Sequence, residues 1–381
     1  MKVGVITIVR VNNYGAELQA FATQKALQMS GYDAEIIDYY YFTNTRHIAT
    51  KLSKPVFNMS LKLKIIVWLY PWYNRFKRLK GDKQNYKSRE QRFEAFHKQY
   101  TRFSHEYKRI EDLYSAEMTY DAYIVGSDQV WNPNNYTSLD PYFLKFAPRG
   151  KKKISYASSF GVSSIPEKTV AYYKDALGGL DAISVREENA VKLVEEISGR
   201  SAQWVLDPTL LLRRDDWLKY ANKPAGIPER YVLIYEVTPC TYLKDLALYL
   251  ADRAMCRVVR INREAVREEK DEEVINVMDG GPAEFIWLFD NATMVVTNSF
   301  HGTAFSLNMN KDFYVVTPVR KLNNSRQKSI LKLVGLEDRL VVENSPLDIE
   351  IKKVDYTHVN AVLDVQREKS LSYLKNAIDG K

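Results

Sequence analysis

Val3-Gly-Val-Ile-Thr-Ile8, Asn12-Asn13-Tyr14-Gly15 and Ala16-Glu-Leu-Gln-Ala-Phe-Ala-Thr-Gln-Lys-Ala-Leu27 together set the fold class. The first is a short continuous apolar run, as in a strand buried on both faces. The second is a turn, and the third has helical spacing with Gly31 where a helix stop belongs. Ala34 to Asp38 makes the next strand, and β-α-β is the opening of an α/β sheet.

The alternation resumes further along the chain. Strands are expected at Ala122–Val125, Ile154–Ala157, Ala182–Val185 and Trp204–Leu206, with helices at about 167–177 and 187–197. Leu212 to Arg230 holds Pro224, Gly226 and Pro228 and has the composition of a linker. A second series then runs from strand Tyr231–Glu236 through helix 242–254, strand 257–261, helix 282–290, strand Met294–Thr297, helix 301–308 and strand 313–316. Helices over 325–334 and 357–378 end the chain. The expected architecture is two Rossmann-like domains, 1–215 and 216–381, with a cleft between them. Ligands in such sheets bind beyond the carboxyl ends of the strands.

The chain has 381 residues, of which 45% are apolar and 27% charged, the usage of a soluble globular protein. That excludes a disordered chain, a collagen-like fibre and a disulfide-stapled miniprotein. The longest apolar run, Ile65 to Tyr73, contains Pro71 and falls far short of the roughly 20 residues of a spanning helix. Met1-Lys2 leads into the first strand with no signal-peptide pattern. Cys240 and Cys256 are too few for a disulfide framework. A reduced, cytoplasmic protein is expected.

The net charge of +8 is concentrated in one place. Arg46 to Arg109 holds 17 Lys/Arg against four acids, a net +13, which leaves the remainder at −5. A basic helical insertion over 46–110 is expected, and the body has no nucleic-acid signature. Within it, Leu61, Ile65, Trp68, Leu69 and Trp72 can share one helical face beside Lys62, Lys64, Arg75, Lys77 and Arg78. Such a face over 51–80 suits the inner surface of a membrane, or it packs on the amino-terminal domain.

The most informative stretch is Met294-Val-Val-Thr-Asn-Ser-Phe-His-Gly-Thr-Ala-Phe-Ser306. A strand ends at Thr297, Asn298 and Ser299 turn the chain, and a helix opens near His301. Its free N–H groups and positive dipole end suit a phosphate or carboxylate. A histidine placed there can move a substrate proton; the plainer reading is a capped helix with a partly buried His. Gly126-Ser127-Asp128 and Ser155-Tyr156-Ala157-Ser158 occupy equivalent strand ends, and Arg186 follows another strand, where it grips an anion or pairs with Glu187 or Glu188. His47, His97, His105, His301 and His358 show no metal-ligand spacing.

Together these turns resemble the polysaccharide pyruvyl transferase family. The carrying motifs are Asn-Tyr-Gly-Ala-Glu-Leu-Gln-Ala (13–20), Val-Gly-Ser-Asp-Gln-Val-Trp-Asn-Pro (125–133), Ser-Tyr-Ala-Ser-Ser-Phe-Gly (155–161), Ser-Val-Arg-Glu (184–187), Val-Leu-Asp-Pro-Thr-Leu-Leu (205–211) and Asn-Ser-Phe-His-Gly-Thr-Ala-Phe-Ser (298–306). The resemblance implies a GT-B-like fold and transfer of a pyruvyl group from phosphoenolpyruvate to two hydroxyls of one sugar, releasing phosphate and leaving a cyclic ketal. It implies no cofactor beyond that donor, and a place in capsule, exopolysaccharide or cell-wall glycan assembly, on a precursor that can be lipid-diphosphate-linked.

His301 and Arg186 are the implied catalytic residues. Asn298, Ser299, Phe300, Gly302, Thr303 and Arg326 are expected around the donor, and Asn13, Tyr14, Gly15, Ser127, Asp128 and Ser158 around the acceptor. One position departs from the family pattern: better-studied branches carry Ser-Arg-Leu-His, and here the Arg position is Ser299. Arg326, Arg320 and Lys321 are the candidates to replace that guanidinium. Two other readings share the architecture: a nucleotide-sugar glycosyltransferase, and a non-catalytic glycan-binding protein of the same pathway.

Overall fold

The computed structural model describes residues 1–44, 46–55, 83–262, 272–318 and 325–380. Strands β1 (Lys2–Ile6), β2 (Asp33–Tyr39), β3 (Phe103–Tyr107), β4 (Ala122–Val125) and β5 (Lys152–Ser155) form a parallel sheet in the order β3-β2-β1-β4-β5. The short parallel pair β6 (Ser184–Val185) and β7 (Gln203–Trp204) adjoins β5 through bridges Ile154–Ala182 and Ser158–Val185. The carboxy-terminal sheet contains β8 (Tyr231–Glu236), β9 (Arg257–Asn262), β10 (Val274–Val277), β11 (Met294–Thr297), β12 (Asp312–Thr317) and β13 (Leu340–Val342). Its order is β10-β9-β8-β11-β12-β13, again all parallel. These are two Rossmann-like domains in the expected GT-B-like arrangement. Strand order reverses between β1 and β4 in one sheet and between β8 and β11 in the other, the places where such sheets open a binding crevice.

The helices that build the site are α1 (Tyr14–Met29), α2 (Lys83–Tyr100), α3 (Pro282–Asn291), α4 (Phe300–Asn308), α5 (Ser325–Leu333) and α6 (Tyr356–Asp379). Asn13 caps α1, its Oδ1 accepting from Gly15 N at 3.1 Å. Helix α1 is buried on nearly every side because it lies between the domains. Its Tyr14 ring sits 4.8 Å from Phe285, 5.2 Å from Phe93 and 6.0 Å from Tyr235. Burying an aromatic side chain this fully contributes roughly 1.5–3 kcal/mol, so this cluster joins the two halves. Helix α6 returns to the first domain, where Tyr373 Oη donates to Ser155 O at 2.9 Å and Lys152 Nζ to Ile378 O at 2.6 Å.

The basic segment needs correction at its carboxyl end. Residues 103–107 are not helical: they are the edge strand β3 of the first sheet. Phe103-Ser-His-Glu-Tyr107 has no apolar run because an edge strand is only half covered. Helix α2 is also more than a solvated appendage. His97 Nε2 meets Glu17 Oε2 at 2.7 Å, and Arg92 pairs with Asp279 at 2.8 Å and Glu284 at 3.2 Å in the other domain. Arg46 pairs with Glu106, and Arg102 with Asp33 and Glu35. Part of the segment's excess charge is thereby matched to acids, several of them in the body. The apolar face expected over Leu61–Trp72, and with it Arg320 and Lys321, lies outside the described residues. Among the described residues no helix is long and apolar enough to cross a membrane.

Candidate functional site

The loops after β1, β4, β8 and β11 converge on one cleft of about 410 Å³. Ile8, Val11 and Asn13 come from the β1 side, Asp128 and Gln129 from β4, Val237 and Thr238 from β8, and Asn298 to His301 from β11. Arg326 and Gln327 at the start of α5 close one wall. Both strand-order reversals therefore contribute to a single crevice.

The amino-terminal turn of α4 faces this space. Ser299 has extended backbone and precedes the helix, and its N–H donates to Thr297 Oγ1 at 3.1 Å. The next three N–H groups, of Phe300, His301 and Gly302, are the ones a helix start leaves without intrahelical acceptors. Gly302 is required here, because a Cβ would collide with the Thr297 side chain. The Asn298 amide is occupied in shaping the turn: Oδ1 accepts from Val237 N at 2.9 Å and Nδ2 donates to Thr238 O at 2.6 Å. Thr303 is fully buried, and its hydroxyl donates to Ser299 O at 3.0 Å. Of the donor-side set, Asn298, Ser299, Phe300 and Arg326 line the cleft with His301, while Gly302 and Thr303 lie behind them.

His301 is 8% exposed and is held between the two domains. Its Nε2 is buried, has no hydrogen-bond partner among the described residues, and stands 3.7 Å from Asp207 Oδ2. Its Nδ1 faces Gly15 at the start of α1, where a Cβ would fall well inside contact distance of the ring. The conformational reason for Gly15 is this close approach.

Arg186 takes a different place from the one expected. Its side chain has no exposed surface and packs against the Phe300 ring, 4.6 Å from the centroid. Nη1 donates to Asp207 Oδ2 at 2.8 Å and to Ser127 Oγ at 3.2 Å, and Nη2 lies 3.9 Å from Asp128 Oδ1. The guanidinium thus sits beneath the cleft wall rather than in it. Burial would lower its pKa, but Asp207, Glu187 and Asp128 outweigh that and raise it. Burial likewise acts to raise the Asp207 pKa, and His301 and Arg186 carry it instead far below the ordinary carboxylate range. Glu187 is raised by burial, against the opposing pull of Arg186 and Arg326. Arg326 is lowered, first by burial and then by repulsion from Arg186. With the Gln129 amide oxygen turned toward α5, both terminal nitrogens of Arg326 donate to it at 3.1 and 3.2 Å.

The acceptor-side set divides similarly. Asn13 and Asp128 line the cleft, and Asp128 does so from a left-handed backbone with φ of 75°. Gly15 touches His301. Tyr14, in contrast, points into the interdomain core, its Oη donating to Gly280 O at 2.6 Å. Ser127 is buried and donates to Asp207 Oδ2 at 2.9 Å. Ser158 is buried and donates to Gly126 O at 3.3 Å. The residue that the motif reading leaves without a role is Asp207, at the centre of the network. Its only sequence signal is Asp-Pro-Thr, which equally describes an ordinary turn cap.

The family model for polysaccharide pyruvyl transferase matches residues 13–318. No curated protein matches the sequence. Among solved structures, UDP-GlcNAc 2-epimerase from Methanocaldococcus jannaschii shares 11% identity over 96% of this chain and 93% of its own, with a TM-score of 0.46. UDP-N-acetylglucosamine 2-epimerase from Rickettsia bellii shares 11% over 100% and 97%, with a TM-score of 0.47. The E. coli heptosyltransferase WaaC with ADP shares 13% over 96% and 100%, with a TM-score of 0.41. The family match runs from β2 to β12 and takes in most of the cleft, leaving β1, Ile8 and Val11 before it and the start of α5 and β13 after it, and on that match the chain belongs to the polysaccharide pyruvyl transferase family.

Proposed function

We propose that this protein transfers the pyruvyl group of phosphoenolpyruvate to two hydroxyls of one sugar in a polysaccharide precursor. The observation that carries the reading is convergence. The open N–H groups of α4, the Arg326 guanidinium and the His301 ring meet in one cleft of a chain from this family. The donor carries a phosphate and a carboxylate, and helix starts and guanidinium groups are the two strongest anion seats a protein offers.

In this reading His301 delivers a proton to the methylene carbon of phosphoenolpyruvate, which leaves an oxocarbenium-like centre at the adjacent carbon. One sugar hydroxyl adds there and returns its proton to His301. Phosphate then departs with the bond electrons, and the second hydroxyl closes the ketal ring, its proton passing to the departing phosphate. Asp128 and Asn13, on the facing wall, are placed to orient the hydroxyls. Arg326, reaching in from α5, supplies the guanidinium that the family pattern puts at the position of Ser299.

Phosphoenolpyruvate should raise the melting temperature of the protein more than equal concentrations of inorganic phosphate or pyruvate, since it alone fills both anion seats. His301→Ala should retain that protection while turnover falls by about 10²–10⁴, the usual contribution of a general acid–base group. Unchanged turnover in His301→Ala would remove His301 from the chemistry.

A further inference from the structure

We infer that Asp207 fixes the tautomer of His301, so that Nδ1, beside Gly15, is the nitrogen that exchanges protons with substrate. This rests on the proposed function for its catalytic meaning, though not for its structural content.

The two faces of the ring differ. Nε2 is buried and points at Asp207 Oδ2, 3.7 Å away. Nδ1 lies on the Gly15 side, where the ring itself takes the space a Cβ would fill; His301 lines the cleft, and with Nε2 turned to Asp207 the other ring nitrogen is the one left for a substrate. A carboxylate opposite Nε2 favours a proton there, because a bare nitrogen lone pair would face the oxygen's lone pairs. The neutral ring then carries its free lone pair on Nδ1 and acts there as the base, while the imidazolium carries a proton on Nδ1 and delivers it from the same atom, Nε2–H being kept throughout.

Asp207 is built to stay ionised and still. Its Oδ1 accepts from Thr209 N at 2.9 Å and Thr209 Oγ1 at 2.7 Å, and its Oδ2 from Ser127 Oγ at 2.9 Å and Arg186 Nη1 at 2.8 Å. The flanking backbone is held by α6: Leu206 N donates to Ser370 Oγ at 3.0 Å, and Arg367 Nε donates to Leu210 O at 2.6 Å. A carboxylate with four donors is a fixed reference for the histidine. The other charges near the ring do not replace it. Arg186 is bonded to Asp207 itself, Asp128 lies toward Arg186 Nη2, Glu187 accepts from Ser159 Oγ, and Arg326 faces Gln129. This gives the 205–211 motif a role: Asp207 is a positioning residue acting through His301.

The test is the two-bond ¹H–¹⁵N histidine spectrum of the full chain, with the His301 signals identified by their loss in His301→Gln. The wild-type spectrum should show a protonated Nε2 and an unprotonated Nδ1 in the neutral ring. Asp207→Asn should shift the tautomer ratio, and turnover of phosphoenolpyruvate should fall by about 10²–10⁴ with its KM little changed, as when an Asp–His pair loses its orienting carboxylate. A wild-type ring protonated on Nδ1 overturns the inference, as does an unchanged tautomer ratio in folded Asp207→Asn. Should that variant not fold, the wild-type spectrum alone decides. It needs no substrate, so absent turnover would count against the proposed reaction and leave the tautomer result intact.

Discussion

Arg186 and Arg326 both approach the Phe300 ring, with guanidinium carbons 4.6 and 6.0 Å from its centroid, yet they occupy opposite electrostatic situations. Arg186 has no exposed side-chain surface and a carboxylate partner at 2.8 Å, so its charge is already matched. Arg326 lines the cleft, faces a neutral amide, and has its pKa lowered by burial and by Arg186. A bound anion would relieve that situation, whereas Arg186 has no exposed side-chain surface for an anion to reach. The difference teaches that whether an arginine beside the cleft is matched depends on which carboxylates the fold brings to it. Arg186 holds the floor, and Arg326 stands on the cleft wall, where the proposed function puts a bound anion.

Exchanging each arginine for a neutral residue of similar length breaks the comparison most severely. Arg186→Met strands Asp207 without its cation, and breaking a buried pair from one side costs about 3–5 kcal/mol. Urea unfolding should show a loss of that size. An unfolding midpoint close to wild type would place Arg186 among the ligand-binding groups instead. Gly15→Ala comes next: the new methyl drives into the His301 ring, and misplacing a reacting group by about 1 Å can cost 10²-fold in turnover. Steady-state kinetics with full retention of activity would mean that α1 and α4 are further apart than described.

Arg326→Met should leave stability within about 1 kcal/mol of wild type, because burial and the repulsion from Arg186 offset the attraction of Glu187. It should weaken thermal protection by phosphoenolpyruvate by about tenfold in apparent affinity, equivalent to about 1.4 kcal/mol. The reverse pattern, with Arg326→Met unstable and still protected, would invert the assignment of the two arginines.

A pH series sharpens the same contrast more gently. Asp207 has a folded pKa far below its unfolded value, so its stabilisation is fully present above the unfolded value, about pH 4. It is lost as pH falls toward the folded pKa. Wild type should therefore lose stability between about pH 4 and 2 more steeply than Asp207→Asn. Parallel acid limbs for the two proteins would show that Asp207 is not held ionised by its partners.

How much of this was legible in the sequence follows from the physics of each element. Continuous apolar runs announce parallel strands, and glycines and asparagines at their ends announce the turns, so both sheets and the cleft could be placed. Edge strands are different: β3 and β10 carry polar residues in place of a doubly buried run, and β13 is only three residues long. Tyr14 shows a limit of motif reading. It follows Asn13 directly, but one residue along a helix turns the side chain by about 100°, from the cleft into the core. Asp207 shows another. Its partners Ser127 and Arg186 lie 80 and 21 residues away in sequence, and only the folded chain brings those groups together.

The central claim is tested most directly by incubating the full chain with phosphoenolpyruvate and a panel of galactosyl and mannosyl acceptors, following phosphate release and product mass together. The account predicts release that depends on acceptor, with the product heavier by one ketal-linked pyruvate. Phosphoenolpyruvate left intact with every acceptor, and giving no thermal protection, would contradict it and mark Ser299 as the sign of a different donor.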